Sequence, residues 1–351
     1  MSNEAIALLI NDVHVSKENI DQFKLNWKEA LDVAIFNGVN RILIGGDLFT
    51  SRHSQTLDVL LAVYDVFQEC MDNNINVFIL EGNHDKVNQE SNRGYCSVFR
   101  SFDNVYVVED WSCLKFGDVV VGMISYFPEN GSFANMLGEI SKELDTVNYD
   151  HSVLYIHEGI KGALPQPADT DLPADIFSCW DKVLVGHYHD RCVVKGTNIE
   201  YIGSSRQHGF GEDEEKGYTL LYSDGSTKFV KNTVNVRYVT LRKRYDEIFS
   251  GSFKDEVMSY TSNNYKVRVI IECKAGQSNS VNKSLLFDMG ISKVELIDES
   301  SPIKIVSQES LNERYDKSGI IKMYHEFCDK NSIGNVDFGV KYLNSINSCG
   351  N

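Results

Sequence analysis

Apolar positions in the first part of the chain fall into two kinds of run. Three short blocks of β-formers, Ala5-Ile6-Ala7-Leu8-Leu9-Ile10, Arg41-Ile42-Leu43-Ile44 and Asn76-Val77-Phe78-Ile79-Leu80, are apolar at successive positions, as strands covered on both faces are. Between them, apolar residues recur at three- and four-residue spacing, which predicts amphipathic helices. The first covers residues 17–37, through Phe23, Trp27, Leu31, Ala34 and Ile35, with Gly38 as its stop. The second covers 54–72, with Leu57, Leu60, Leu61, Tyr64, Phe67 and Met71 on one face. Strand, helix, strand, helix, strand predicts an α/β fold with a parallel sheet and crossover helices. Residues 104–127 hold strands only, at 105–108, 112–116 and 119–124, which predicts an antiparallel addition forming a second sheet packed on the first. A helix over 133–144, strands at 152–156 and 181–185, and three more at 192–194, 217–222 and 228–231 complete this region.

Five of these apolar strands run directly into metal-ligand residues: Asp12-x-His14, Asp47, Asn83-His84, His157 and His187-x-His189. A single histidine at a strand end is as readily structural. Five of the chain's nine histidines at such points indicate one site in the crevice beyond the strand ends, where open α/β sheets bind ligands. Carboxylate, amide oxygen and imidazole together suit Mn²⁺, Fe²⁺ or Zn²⁺ better than Ca²⁺ or Mg²⁺. Asp47, on a central strand, can bridge two ions. Two ions about 3.5–4 Å apart hold a hydroxide in line with a phosphorus atom, so the predicted reaction is phosphate ester hydrolysis.

With 351 residues there is room for more than one domain. A domain boundary is placed where the densest basic cluster lies, Arg237, Arg242, Lys243 and Arg244. The predicted units are residues 1–235, a small domain at 236–300 and a C-terminal segment at 301–351. The second reads helix (246–260), strand (265–273), helix (279–289), strand (293–297). The third reads as two helices with apolar stripes through Leu311, Tyr315, Ile320, Tyr324 and Phe327, then Val340, Leu343 and Ile346. Net charge is −16, which argues against tight, autonomous nucleic-acid binding. The acidic run Glu212-Asp213-Glu214-Glu215 reads as an exposed loop. Eight scattered cysteines without a Cys-x-x-Cys pair suggest buried thiols in a reducing compartment. The N-terminus lacks a basic signal-peptide region and no apolar run reaches the ~20 residues of a membrane span, so a cytoplasmic location is expected.

The strand-end residues resemble those of the calcineurin-like metallophosphoesterase superfamily over about residues 4–235. The matching motifs are Asp12-x-His14, Gly46-Asp47, Gly82-Asn83-His84-Asp85, His157 and Gly186-His187-x-His189. The resemblance implies a four-layer sandwich of two mixed sheets flanked by helices. It implies that Asp12, His14, Asp47 and His189 hold one ion, and Asp47, Asn83, His157 and His187 the other. His84 would face the scissile phosphate as general acid or electrostatic stabiliser, oriented by Asp85.

Gly45-Gly46-Asp47-Leu48-Phe49, and Tyr201-Ile202-Gly203-Ser204-Ser205 through Phe210-x-Glu212 to Lys216-Gly217, resemble SbcD-type DNA repair nucleases. Size and tail are similar to the nuclease subunit of phage recombination endonucleases. Protein Ser/Thr phosphatases carry Gly-Asp-x-Val-Asp-Arg-Gly and an arginine before Gly-Asn-His, where this chain has Leu-Phe-Thr and Glu81. Many SbcD-type enzymes have histidine where Thr50 stands, which puts exonuclease competence in question; His53 is close by as a substitute or as a solvated loop residue.

The implied protein is a Mn²⁺-dependent DNA endo/exonuclease subunit (Mg²⁺ the other option), homodimeric, in an ATP-dependent DNA-end-processing complex. Residues 236–300 would be a capping domain contacting DNA through Arg242, Lys243, Arg244, Lys266 and Arg268. Residues 301–351 would dock on the coiled coil of an SbcC-type ATPase, since this chain has no Gly-x-x-x-x-Gly-Lys-Ser/Thr loop of its own. Two alternatives use the same residues: a phosphomonoesterase or cyclic-nucleotide phosphodiesterase, and a non-catalytic scaffold.

Overall fold

Each central strand buries both faces, so alternate residues serve two different cores. The computed structural model describes residues 3–128, 131–165, 168 and 171–298, with five further positions at 324, 325, 328, 336 and 340. Apart from those five positions, the C-terminal helix pair expected within 301–351 lies outside the described residues. Contacts divide the chain into two compact units, residues 1–271 with 281–296, and 272–280 with 297–351.

The elements run β1 (Ala5–Ile10), α1 (Ile20–Phe36), β2 (Arg41–Gly45), α2 (Leu57–Asp72), β3 (Asn76–Leu80), β4 (Val105–Val108), β5 (Trp111–Phe116), β6 (Val119–Ile124), α3 (Phe133–Leu144), β7 (His151–His157) and β8 (Lys182–Gly186). Then follow β9 (Cys192–Val193), β10 (Ile199–Tyr201), β11 (Gly217–Tyr222), β12 (Thr227–Lys231), β13 (Arg237–Arg244), α4 (Gly251–Thr261), β14 (Tyr265–Cys273), α5 (Lys283–Asp288) and β15 (Ile291–Asp298). They build one six-stranded sheet in the order β12-β11-β1-β2-β3-β4 and a second in the order β5-β6-β7-β8-β10-β9. Strands β1 to β4 are mutually parallel, as are β6 to β8. Each sheet also carries antiparallel strands at its margins, so both are mixed.

Leu8, Ile10, Ile42, Ile44, Val77 and Ile79 face outward onto Phe23, Trp27 and Leu31 of α1 and Val63 and Phe67 of α2. Their neighbours Leu9, Leu43, Phe78 and Leu80 face inward and pack on Val121, Met123, Tyr155 and Leu184 of the second sheet. On that sheet's far side Leu154, Ile156 and Val183 meet Phe133, Leu137 and Ile140 of α3. The result is the four-layer α/β sandwich of two packed mixed sheets. A buried amide ties the sheets together at the strand ends: Asn11 Nδ2 donates to the Val185 carbonyl at 3.2 Å, and the Tyr155 hydroxyl donates to Asn11 Oδ1.

Four local readings change. The strand at Val105–Val108 pairs in parallel with β3 in the first sheet, so only β5–β6 is the expected antiparallel start of the second. The three-residue β10 is too short to carry a period. The basic cluster placed at the domain boundary is itself a strand, β13, joined to β14 and β15 in a third sheet. On α2 the buried face is Val59, Ala62, Val63, Val66, Phe67 and Cys70; most of the stripe read from spacing points out, with Leu57 68%, Leu61 49% and Tyr64 47% exposed. The helix is apolar on two sides, and spacing alone cannot say which one meets the sheet.

Seven described cysteines are free thiols. No described helix is long and apolar enough to cross a membrane.

Candidate metal centre

The turns that leave β1, β2, β3, β7 and β8 all open onto the same end of the sandwich, and the backbone there is strained. Of six non-glycine residues with positive φ among the described residues, four are Asp12 (47°), His14 (48°), Asp47 (52°) and His187 (86°). Left-handed backbone costs about 1–3 kcal/mol at such residues and gathers at functional sites. Gly46, at φ +91°, lies against the His157 ring, which a Cβ would strike. That close approach is what lets β2 and β7, from different sheets, bring Asp47 and His157 together.

Asp47 sits at the middle. Its Oδ2 is 3.4 Å from His157 Nε2 and 3.5 Å from His14 Nε2, while Oδ1 accepts the His84 backbone N–H at 2.8 Å. On one side, His14 Nε2 faces His189 Nε2 at 3.2 Å, and Asp12 Oδ1 lies 4.0 Å from His189 Nε2. On the other, His157 Nε2 lies 3.2 Å from Asn83 Oδ1, and the His187 ring packs edge-on to His157 at 5.3 Å. Asp12, His14 and His189 make one cluster of potential ligands, and Asp12, Asp47 and His157 make another. Asp12, Asp47, Asn83 and His157 are almost wholly buried.

Ring hydrogen bonds orient the imidazoles. The Nδ1 of His157 donates to the Gly45 carbonyl at 2.8 Å, and that of His189 faces Glu212 Oε1 at 2.9 Å. Each bond turns Nε2 toward the carboxylates. Burial holds the pKa of His14 and His187 down to about 3, so both imidazoles are neutral at pH 7. For Asp12, burial outweighs the nearby histidines and raises its pKa to about 6. Burial would also raise Asp47, but His157 beside it holds its carboxyl well below the usual range. His157 shows the reciprocal effect: burial opposes its charge, Asp47 overrides burial, and its pKa rises to about 10. Without metal, a proton on His157 offsets the Asp47 charge. Neutral imidazoles, an amide oxygen and two carboxylates aimed at one volume suit divalent transition ions.

His84 lies beside this centre, its ring 5.0 Å from that of His14. The expected partner, Asp85, does not touch the ring. The carboxylate of Asp85 is buried and accepts three backbone N–H groups, from Leu48 (3.2 Å), Phe49 (2.9 Å) and Gly82 (2.9 Å). It therefore braces the turn that carries Asp47. The His84 Nδ1 bonds the Thr50 carbonyl at 2.6 Å, leaving Nε2 for the cavity. Thr50, the departure from the SbcD-type pattern, thus serves through its backbone, while its hydroxyl donates to the His14 carbonyl. His53 is exposed.

A cavity of about 540 Å³ opens over these groups, and Arg52, Arg206, His208, Tyr238 and Lys266 help line it. Of the candidate DNA contacts, Lys266 is therefore at the site. Lys243 is paired with Glu256 at 2.7 Å, Arg244 with Glu247 at 3.4 Å, and Arg268 with Glu295 at 3.6 Å. Arg242 is exposed. Sequence reasoning missed His208, whose Nε2 donates to the Asp12 carbonyl at 2.8 Å, because no apolar strand precedes it. It also took Glu212 for part of an exposed acidic loop. That reading suits Asp213 and Glu215, but not Glu212, which reaches a candidate ligand.

A sequence profile described as calcineurin-like phosphoesterase matches residues 7–220. The chain is 27% identical over 227 residues to putative phosphoesterase 244L of Invertebrate iridescent virus 6, covering 61% of this chain and 74% of that protein. It is 24% identical over 221 residues to the DNA double-strand break repair protein Mre11 of Methanocaldococcus jannaschii (60% and 57% covered). It is 21% identical over 247 residues to a subunit of the nuclease SbcCD of Staphylococcus saprophyticus, covering 62% of each.

Proposed function

The chain belongs to the calcineurin-like phosphoesterase family, and within that family we propose that it is a two-metal DNA phosphodiesterase, the nuclease subunit of an end-processing complex. The observation that carries this reading is the Asp47 carboxylate, set between His14 and His157 with His84 alongside. Asp12, His14, Asp47 and His189 would hold one divalent ion, and Asp47, Asn83, His157 and His187 the other, with Mn²⁺ the ion this donor set favours. Two such ions, when bound, would supply positive charge to the phosphoryl oxygens and lower the pKa of a water toward neutrality.

The protein's own groups do the rest. The Thr50 carbonyl fixes the His84 ring through Nδ1 and leaves Nε2 for a phosphodiester in the cavity that His84 lines. His84 Nε2 then stabilises charge there or delivers a proton. Asp85 keeps the Asp47 turn rigid while this happens. Polynucleotide is favoured over a monoester because Arg52 and Lys266 line the cavity from different parts of the chain, which suits a substrate with phosphates flanking the scissile one. Similarity to Mre11 and SbcCD proteins supports the same choice, together with an SbcC-type ATPase partner.

The deciding assay is Mn²⁺-dependent cleavage of linear duplex DNA, with and without a coiled-coil ATPase partner, for wild type and His84→Ala. Loss of a general acid lowers turnover by about 10²–10⁴-fold, while both ions stay bound. Equal cleavage by the two proteins would remove His84 from the mechanism. Fast p-nitrophenyl phosphate turnover with no DNA cleavage would make the chain a phosphomonoesterase.

We propose in addition that the homodimer implied by the family resemblance would form through the exposed apolar side of α2, where Leu57, Leu61 and Tyr64 recur at helical spacing. Leu61→Glu is expected to shift the light-scattering mass from dimer to monomer. A monomeric wild type would refute the dimer.

A further inference from the structure

Residues 206–212 form a collar around one half of the metal centre. Buried Arg206 sends Nη2 to the carbonyls of Val13 and His14, at 3.3 and 3.4 Å. The His208 side chain reaches the Asp12 carbonyl, and its ring packs on those of His14 and His189 at 5.1 and 4.9 Å. Gln207, also buried, accepts from the Tyr238 backbone N–H at 2.9 Å and donates to the carbonyls of Tyr238 and Glu212. Its amide thus pairs with β13 as a strand neighbour would.

Glu212 closes the collar. Its Oε1 faces His189 Nδ1 at 2.9 Å, and its Oε2 accepts the His208 backbone N–H at 2.9 Å, so both oxygens are committed. The adjoining acidic residues have ordinary partners: Asp213 pairs with Lys216 at 3.2 Å, Glu215 with Lys231 at 2.7 Å, and Glu214 accepts from the Tyr265 hydroxyl. Only Glu212 of this run is turned to the centre. The contrast with the other half is informative, because His157 is oriented by a strand carbonyl, Gly45, that no side-chain change removes.

We propose that Glu212 is the positioning residue for His189, holding its Nδ1–H so that Nε2 is presented to metal, and that the collar ties this half of the centre to β13. The inference rests on the reading of His189 as a ligand. A carboxylate behind a ligating imidazole raises its basicity and removes its rotational freedom, and loss of such a partner costs about 10–100-fold in metal affinity.

The test uses the metal-stripped full chain, wild type, Glu212→Ala, Glu212→Gln and His189→Ala, titrated with Mn²⁺ by calorimetry. Wild type is expected to bind two ions. Glu212→Ala should weaken one of them by about 10–100-fold and spare the other. Glu212→Gln, which keeps a neutral acceptor of the same size, should fall between and guards against misfolding of the alanine variant. Histidine ¹⁵N NMR of the metal-free proteins gives a readout that needs no ion: the His189 ring, assigned by its absence in His189→Ala, should hold its proton on Nδ1 in wild type and become a tautomer mixture in Glu212→Ala, while the rings of His84 and His157, held by backbone carbonyls, stay unchanged. Unchanged affinity and tautomer in both Glu212 variants, with a site lost in His189→Ala, would overturn the positioning role alone. Full binding by His189→Ala would instead overturn His189 as a ligand, and the proposal with it.

Discussion

Three successive residues in the turn after β3, Asn83, His84 and Asp85, divide their labour by what each side chain can reach. Asn83 turns its amide oxygen to His157, His84 is pinned by a carbonyl, and Asp85 is spent on three backbone donors. Behind them Glu81, fully buried, accepts the Cys96 N–H at 2.9 Å, and Lys86 donates to the Tyr126 carbonyl with its ammonium 3.9 Å from the centre of the Phe127 ring. Burial, reinforced by the nearby Asp85 charge, raises Glu81 to about 8; burial and then Asp47 raise Asp85 to about 7. The sign of the pH effect follows. Glu81 stays protonated in the folded metal-free protein while the unfolded chain ionises near 4.5. Its contribution to stability is complete below 4.5 and is lost as pH rises through about 8. Glu81→Gln has no such loss. Thermal melts of both proteins between these limits should show the variant gaining on wild type as pH rises; a gap that stays constant would refute the raised pKa.

At the level of elements, what positions the centre is the seam between β1 and β2 on one side and β7 and β8 on the other. Tyr155 projects from β7 into the seam and holds the Asn11 amide, which in turn bonds β8. Tyr155→Phe removes the donor and leaves Asn11 Oδ1 buried. A cost of about 1–3 kcal/mol is expected, read as a lower denaturation midpoint at unchanged m-value; no loss would mean that Asn11 finds another donor. The same seam explains what was legible in the sequence. A strand apolar on both faces announces itself, and a candidate ligand placed at its end or just beyond it, as Asp12, Asp47, Asn83, His157 and His187 are, can be read from position alone. His208 and Glu212 are brought to the centre by a loop with no periodicity, stitched by side-chain bonds that only the folded chain reveals. Asp85 misled for a related reason: adjacency to His84 suggests a contact, but its carboxylate is taken up by three backbone N–H groups and the His84 ring by the Thr50 carbonyl. In β13, charges at Arg237, Arg242, Lys243 and Arg244 obscure the pairing of an eight-residue strand.

For the molecule as a whole, the decisive quantity is charge. The net value of −16 sets a repulsive background for a polyanion, and the cations available to oppose it are fewer than a residue count suggests. Lys243, Arg244 and Arg268 already have carboxylate partners. Of the residues weighed for DNA contact, that leaves Arg242, exposed on β13, and Lys266, which lines the cavity together with Arg52. Each phosphate neutralised by a lysine or arginine contributes about −0.9 to the slope of log K against log salt. Three such contacts give a slope of about −3 and an affinity in the ~10⁻⁴–10⁻⁶ M range of non-specific binding. Fluorescence anisotropy on labelled duplex, with His84→Ala to prevent cleavage, measures this directly between about 50 and 200 mM salt. Lys266→Ala should flatten the slope by about one. A slope for the isolated chain of about −6 or steeper would mean that the paired arginines and lysines release their carboxylates to DNA. A shallow one would fit the proposed division of labour, in which an ATPase partner supplies tight binding and this chain supplies the metal centre.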